Sequence, residues 1–312
     1  MTRIRLALIA GGTSAERAVS LKGAESVEEA LDKEKYDIIR YDPATDLAAL
    51  AADADRIDVA FLLLHGLYGE DGTIQGFLDM LSIPYQGAGV LGSALAMDKN
   101  LAKQLYGLAG LPVADWLMAR PEETHAPERL LAALGLPMVV KPAKQGSSIG
   151  MTIVRREEQL APALELAFKY DDAVMVEECI QGREITVGVL GNDQLQALPL
   201  IEIIPDSKYE FFDYEAKYLP GASEEICPAD VDADIAARAQ EYAKTAHRCL
   251  QLQGYSRTDM ILQDDRLYLL ETNTIPGMTA TSLFPQAAAE HGLSFTQMLD
   301  QLLELAMEKQ RK

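Results

Sequence analysis

Short apolar runs alternate with helical stretches along the first hundred residues. Residues 5–10, apolar after Arg5, run into Gly11-Gly12. Residues 21–31 read as a helix, 37–41 as a short strand, and 59–64 as a buried apolar strand that leads into the glycine-rich loop 65–72. This strand–helix–strand rhythm predicts a parallel sheet covered by helices. In such sheets ligands bind beyond the carboxyl ends of the strands, where both glycine-rich loops fall.

Near residue 97 the pattern changes. A helix reaching about 107 is followed by a strand at 138–141, a loop at 144–150, a helix around 157–170 and a strand at 174–178. Two hairpins come next. The first pairs 185–190 with 195–204 across Gly191-Asn192-Asp193, and the second pairs 257–262 with 267–273. Between them lie a helix at 231–251 and, before it, a stretch over 205–228 with little periodicity. A long irregular segment inside a compact enzyme is a lid, a binding loop or disorder. The expected division is 1–97, 98–184 and 185–312.

The second hairpin carries the clearest chemistry. Side chains alternate faces along a strand, so Arg257 shares a face with Asp259, and Glu271 with Asn273. A three-residue turn, Asp264-Asp265-Arg266, would set Gln263 opposite Leu267, Asp259 opposite Glu271 and Arg257 opposite Asn273. A two-residue turn would put the two acids on opposite faces. Two carboxylates and an amide oxygen together suit a hard cation such as Mg²⁺. The alternative is a solvated strand face with scattered charges.

Charge narrows the choice of partners. With 28 Lys and Arg against 48 Asp and Glu, the formal charge is −20. Such a chain repels nucleic acid and anionic membrane surfaces, so an anionic substrate needs a local island of Lys and Arg. No run approaches the roughly 18 apolar residues of a membrane helix. The three cysteines, Cys179, Cys227 and Cys249, form no CxxC pair, which points to reduced thiols in the cytoplasm. The short apolar run after Arg5 reads as a first strand and not as a secretory leader.

Three loops are candidates for ligand contact. Val139-Val140-Lys141-Pro142 leads into Lys144-Gln145-Gly146-Ser147-Ser148-Ile149-Gly150. A lysine at a strand end before a glycine–serine loop can hold phosphates, the loop through its backbone N–H groups. The chain has no GxxxxGK[ST], so a Walker-type site is not expected. Gly87-Ala88-Gly89-Val90-Leu91-Gly92 matches GxGxxG, but it comes too late for a first βα turn. It reads as a loop feeding the helix of Met97-Asp98-Lys99. His65-Gly66-Leu67-Tyr68-Gly69-Glu70-Asp71-Gly72 surrounds a histidine with glycines, which favours a close backbone approach; a histidine that only caps the strand is the alternative. His125, His247 and His291 receive no role.

Taken in order, these segments resemble the D-alanine:D-alanine ligases of the ATP-grasp superfamily over nearly the whole chain. The resemblance rests on Gly11 to Arg17, the HGxxGEDG loop, Met97-Asp98-Lys99, the KP…GSSxG loop, Tyr214-Glu215-Ala216-Lys217-Tyr218, Arg257-Thr258-Asp259 and Glu271 through Thr279. It implies an α/β protein in which a Rossmann-like, substrate-binding sheet (1–97) precedes the two lobes of an ATP-grasp fold (98–184 and 185–312), with 205–228 as the lid. It implies ATP- and Mg²⁺-dependent ligation of two D-alanines through D-alanyl phosphate, for peptidoglycan precursors, in a cytoplasmic homodimer. Two Mg²⁺ are implied per site, and Mn²⁺ can substitute.

By the same resemblance, Glu16 would hold the first ammonium and His65 would sit beside the substrates. Lys99 and Lys141 would contact ATP phosphates, with Ser147 and Ser148 in the loop beside them. Glu177, Glu178, Ile180 and Glu184 would line the adenine and ribose pocket. Asp259, Glu271 and Asn273 would bind the metals. Arg257 and the N–H of Gly277 would stabilise an oxyanion. Ser282 and Lys217 would take the second carboxylate beside Leu283, and Tyr218 would close the lid towards Ser147 and Glu16. Cys179 stands where members of the family often carry an aromatic residue. The competing assignment is a D-alanine:D-lactate or D-alanine:D-serine ligase; Tyr218, in place of phenylalanine, favours D-alanine. A nucleotide-binding protein without activity should lack some of Arg257, Asp259, Glu271 and Asn273, and all are present.

Overall fold

The computed structural model describes residues 3–206 and 223–308. The first sheet has the parallel order β2-β1-β3, formed by β1 (Ile4–Ala10), β2 (Tyr36–Tyr41) and β3 (Val59–Leu63). Every residue of β3 is buried, as a strand covered on both faces must be. Alternation divides the apolar residues between two cores. Leu6, Leu8, Phe61 and Leu63 pack to one side, while Ala7, Ile9, Ala60 and Leu62 pack to the other. Helices α1 (Arg17–Ala30), α2 (Leu47–Ala52), α3 (Thr73–Met80) and α4 (Val90–Met97) belong to this part of the chain.

Helix α5 (Lys99–Leu108) leads to an antiparallel sheet of order β4-β7-β5-β6. Its strands are β4 (Trp116–Ala119), β5 (Met138–Pro142), β6 (Thr152–Val154) and β7 (Val174–Glu178). Helices α6 (Glu128–Leu134) and α7 (Leu160–Ala167) close its core through Leu130, Leu160 and Leu164. The helix expected over 157–170 is shorter: a 3₁₀ turn at Glu157–Gln159 precedes α7.

The third sheet is antiparallel with order β11-β10-β8-β12-β13, and β9 pairs with β8. It comprises β8 (Arg183–Leu190), β9 (Gln196–Ala197), β10 (Ile201–Pro205), β11 (Ser223–Ile226), β12 (Tyr255–Gln263) and β13 (Arg266–Asn273). The expected arm at 195–204 is split around Pro199, which has no N–H to give a ladder. The end of the stretch expected to be irregular is a strand, because Ser223–Ile226 pairs with β10. Helix α8 (Ala233–Cys249) packs with α5 on one face of this sheet. Helices α9 (Leu283–Glu290) and α10 (Phe295–Glu308) return to the first sheet, where Phe284, Leu299 and Leu302 share a core with Leu6 and Phe61. No helix among the described residues is long and apolar enough to cross a membrane.

Candidate active site

The hairpin β12–β13 turns through two residues, with Gln263 opposite Arg266 and Asp264 at φ 50°. The three-residue turn expected from sequence is therefore absent. The register shifts between Asp259 and Met260, leaving Leu270 unpaired as a β-bulge, and beyond it Asp259 faces Glu271 and Arg257 faces Asn273. One extra residue on one strand restores the alignment that a two-residue turn alone would lose.

On this face Asp259 is the hub. Arg257 donates from Nε and Nη2 to its two oxygens at 2.9 and 2.7 Å, and Asn273 Nδ2 donates at 2.9 Å. Thr186 of β8, directly across from Asp259, adds its hydroxyl at 2.6 Å. Glu271 is ion-paired with Lys99 Nζ at 2.9 Å. Lys99 is the first residue of α5, whose N-cap Asp98 accepts from the Asn100 and Leu101 N–H groups. Its ammonium also donates to the Gln145 carbonyl at 2.8 Å, tying the glycine–serine loop to the hairpin.

In that loop Ser147 and Ser148 have φ of 50° and 56°. Left-handed backbone is uncommon outside glycine and gathers at functional sites. The Ser147 hydroxyl donates to Glu16 Oε1. Glu16, at the start of α1, is buried. A Cβ at Gly66 would lie 3.2 Å from its other oxygen, so the glycine loop after β3 runs close to the carboxylate.

His65 is buried near Glu16 and Arg257, and burial lowers its pKa, which keeps the ring neutral. Glu70 accepts from the Gly66 and Ile275 N–H groups at 2.8 and 3.4 Å. Burial and the neighbouring Glu16 nonetheless push its carboxyl up to about 8, so it is protonated at neutral pH. Gly277 and Ser282 are neighbours: a Cβ on Gly277 would come within 3.1 Å of Ser282 Oγ, which accepts the Thr279 N–H at 3.0 Å. Leu283 is buried as the first residue of α9. Lys217 and Tyr218 lie outside the described residues.

Between the second and third sheets lies a cavity of about 550 Å³. All eight residues expected at the nucleotide line it: Lys99, Lys141, Ser147, Ser148, Glu177, Glu178, Ile180 and Glu184. Asp259, Glu271 and Cys179 line it too. Glu177 is not simply a pocket wall. It is buried with one oxygen held by Lys141 and the other 2.7 Å from Lys103. Burial would raise its pKa, but the two lysines outweigh it and hold the carboxyl at about 2.

Three comparisons with known proteins fit this geometry. The family models described as D-ala D-ala ligase N-terminus and C-terminus match residues 40–88 and 105–304. A D-alanine–D-alanine ligase from Syntrophobacter fumaroxidans is 61% identical over 306 residues, 98% of each chain. The chain belongs to the D-alanine–D-alanine ligase family. A second member, from Desulfotalea psychrophila, is 61% identical and spans 99% of this chain and 97% of its own. Among solved structures, the D-alanine–D-alanine ligase of Bacillus anthracis complexed with ATP has a TM-score of 0.85 at 33% identity, covering 99% of both chains. The VanG D-Ala:D-Ser ligase from Enterococcus faecalis has the same TM-score at 35% identity, covering 98% of this chain and 100% of its own. The mixed α/β architecture of this ligase is thus that of the ATP-grasp enzymes.

Three residues that contact or adjoin the expected site residues had no role assigned from the sequence: Thr186, Glu70 and Lys103. Thr186 gave no signal, since its place beside Asp259 depends on strand order. Glu70 stood in a motif but without a role. Lys103 did leave a trace, as Lys99, Ala102, Lys103 and Tyr106 form the buried stripe of α5. Two lysines at i and i+4 on a buried helical stripe are anomalous. Of the remaining histidines, His247 is a core residue: its Nδ1 meets Ser256 Oγ at 2.8 Å and burial takes its pKa down to about 4.

Proposed function

We propose that this ligase joins two D-alanines into D-alanyl-D-alanine at the expense of ATP, within the cavity that Lys99 and Lys141 line and across to Glu16. The observation that carries the reading is the cavity itself, which gathers the eight expected nucleotide residues and both hairpin carboxylates into one space. Phosphoryl transfer needs positioning and charge neutralisation more than covalent help from the protein. Lys99 and Lys141 would supply positive charge to the triphosphate, and the strained backbone at Ser147 and Ser148 would turn N–H groups towards it.

Asp259, Glu271 and the amide oxygen of Asn273 make a donor set of hard oxygens that fits Mg²⁺. Arg257 and Lys99 offset the two carboxylates within the protein. When bound, two Mg²⁺ would neutralise the phosphate oxygens during transfer.

The first D-alanine would place its ammonium on Glu16 and its carboxylate towards Arg257. The carboxylate oxygen attacks the terminal phosphorus, ADP departs, and an acyl phosphate forms. The amine of the second D-alanine, its carboxylate held by Ser282 and Lys217, attacks the carbonyl carbon. Arg257 and the Gly277 N–H stabilise the oxyanion, and inorganic phosphate leaves carrying the proton that the amine loses. Neutral His65 lies beside Glu16, and Tyr218 would cover the acyl phosphate against water. The organisation is 1–97 for the amino acid and 98–184 with 185–312 for the nucleotide, in a cytoplasmic homodimer.

A second Bacillus anthracis D-alanine–D-alanine ligase structure has a TM-score of 0.88 at 36% identity against 0.85 at 35% for the VanG D-Ala:D-Ser ligase, and the relatives at 61% identity are D-alanine–D-alanine ligases; both support D-alanine as the second substrate. The test is phosphate release from ATP and Mg²⁺ with D-alanine, L-alanine, or D-alanine plus D-lactate or D-serine, with mass spectrometry of the product. D-alanyl-D-alanine from the D-isomer alone is expected. A mixed product preferred over the dipeptide would move the second substrate, and absence of turnover with ATP still bound would overturn the reaction.

A further inference from the structure

Lys103 is fully buried and takes no part in the steps above. It lies one helical turn beyond Lys99 on α5. Its ammonium sits 2.7 Å from Glu177 Oε2, donates to the Ala114 carbonyl at 3.3 Å, and stands 5.4 Å from the centre of the Trp116 ring. Glu177 Oε1 holds Lys141. A buried chain of charge, Lys103–Glu177–Lys141, therefore runs from α5 across β7 to β5 and ends at the cavity wall.

Burying an ammonium is costly, and a buried ion pair is weak evidence for stability, since apolar residues of like volume do as well or better. A lysine retained in such a place invites a role beyond packing. The charges suggest one. Glu177 alone would neutralise Lys141 one for one and draw its ammonium inward. Shared between two lysines, the carboxylate neutralises Lys141 only in part, and Asp115, which also acts on Lys103, offsets charge at the far end of the chain and not at the cavity wall. Held at both ends, Glu177 also has one orientation instead of several.

We propose that Lys103 is a positioning residue for the nucleotide: by holding the far oxygen of Glu177, it fixes Lys141 at the cavity wall with net positive charge left for a polyphosphate. The inference rests on the reading of the cavity as an ATP site. It gives the lysine a purpose that touches neither ATP nor D-alanine.

The test is a double-mutant cycle on the full-length ligase, with ATP affinity measured by calorimetry and KM for ATP and D-alanine measured separately. Lys103→Met keeps length without charge; Lys103→Gln keeps an N–H donor and serves if the first variant does not fold. Either is expected to weaken ATP by about tenfold in Kd and KM, with the D-alanine KM within about twofold of the parent. In a Glu177→Gln background the same Lys103 substitution is expected to change ATP affinity by less than about twofold, because the coupling passes through the carboxylate. A lysine that only packs would alter both KM values together and act equally in both backgrounds. Either of those results, or an unchanged ATP affinity in a folded Lys103 variant, overturns the proposal. If the parent protein itself binds no ATP, the reading of the cavity fails first and this inference with it.

Discussion

At the scale of the residue, close approach explains much of the site. A Cβ on Gly69 would lie 2.6 Å from Leu64 Cβ and 2.9 Å from its carbonyl carbon, so the loop that carries His65 can fold back against Leu64, just past β3, only with glycine there. Gly69→Ala is expected to cost about 1–3 kcal/mol by overpacking and to raise the D-alanine KM, measured by denaturant unfolding and initial rates. Asp42 does the same work for the first glycine turn. It accepts the Gly12 and Ala44 N–H groups at 2.9 Å and pairs with Arg17 at 2.6 Å. The Arg17 guanidinium, with both backbone donors, holds its pKa at about 2, below the ordinary 3.8. A carboxylate with a depressed pKa stabilises the fold above its unfolded value and loses that contribution as pH falls. Unfolding free energy should thus drop by about 1 kcal/mol between pH 4 and 2 through this group, a modest figure because the arginine is half exposed and screened by water. Asp42→Asn should flatten that part of the acid titration; an unchanged profile would remove Asp42 from the account.

At the scale of the element, the second hairpin shows what a sequence can and cannot reveal. The shared face of Arg257, Asp259, Glu271 and Asn273 was legible from strand alternation together with one assumed turn. The turn was wrong and the face was right, because the bulge at Leu270 supplies the offset assigned to the loop. Periodicity carries no record of such a bulge, since its cause lies in how two strands meet. The same holds for Thr186, whose partner is fixed by the register of β8 on β12. Helix α5 was legible as a helix, but its start matters more than its length. Asp98 caps it at 3.0 and 3.1 Å and so sets the direction of Lys99, which reaches both Gln145 and Glu271. Asp98→Ala should cost about 1 kcal/mol as a lost N-cap. It should also raise the ATP KM severalfold while leaving that of D-alanine near its parent value. Equal effects on both substrates in steady-state kinetics would separate the cap from the lysine.

At the scale of the whole molecule, the site depends on contacts that sequence spacing cannot show. Ser147 bonds to Glu16 across 131 residues, Ile275 to Glu70 across 205, and Tyr36 to Asp300 across 264. The overall charge of −20 made a local cluster of cations necessary for an anionic substrate, and Lys99, Lys103, Lys141 and Arg257 now occupy neighbouring parts of one region. What the charge could not indicate is that the proposed amino-acid end and the proposed nucleotide end are joined by the hydrogen bond of Ser147 to Glu16. Ordering the glycine–serine loop on a nucleotide should therefore also order Glu16, the carboxylate proposed to receive D-alanine. Any such coupling is reciprocal, and a ligand that binds only the folded state stabilises it by RT ln(1 + [L]/Kd), about 2.7 kcal/mol at a hundredfold excess over Kd. With ADP in place of ATP to prevent turnover, D-alanine should raise the melting temperature further in the presence of the nucleotide than in its absence. Ser147→Ala should keep the two separate shifts and lose the excess. Shifts that simply add in the parent protein would mean that the two ends of the site bind independently, leaving the Ser147–Glu16 bond to position groups within one substrate pocket instead of joining two.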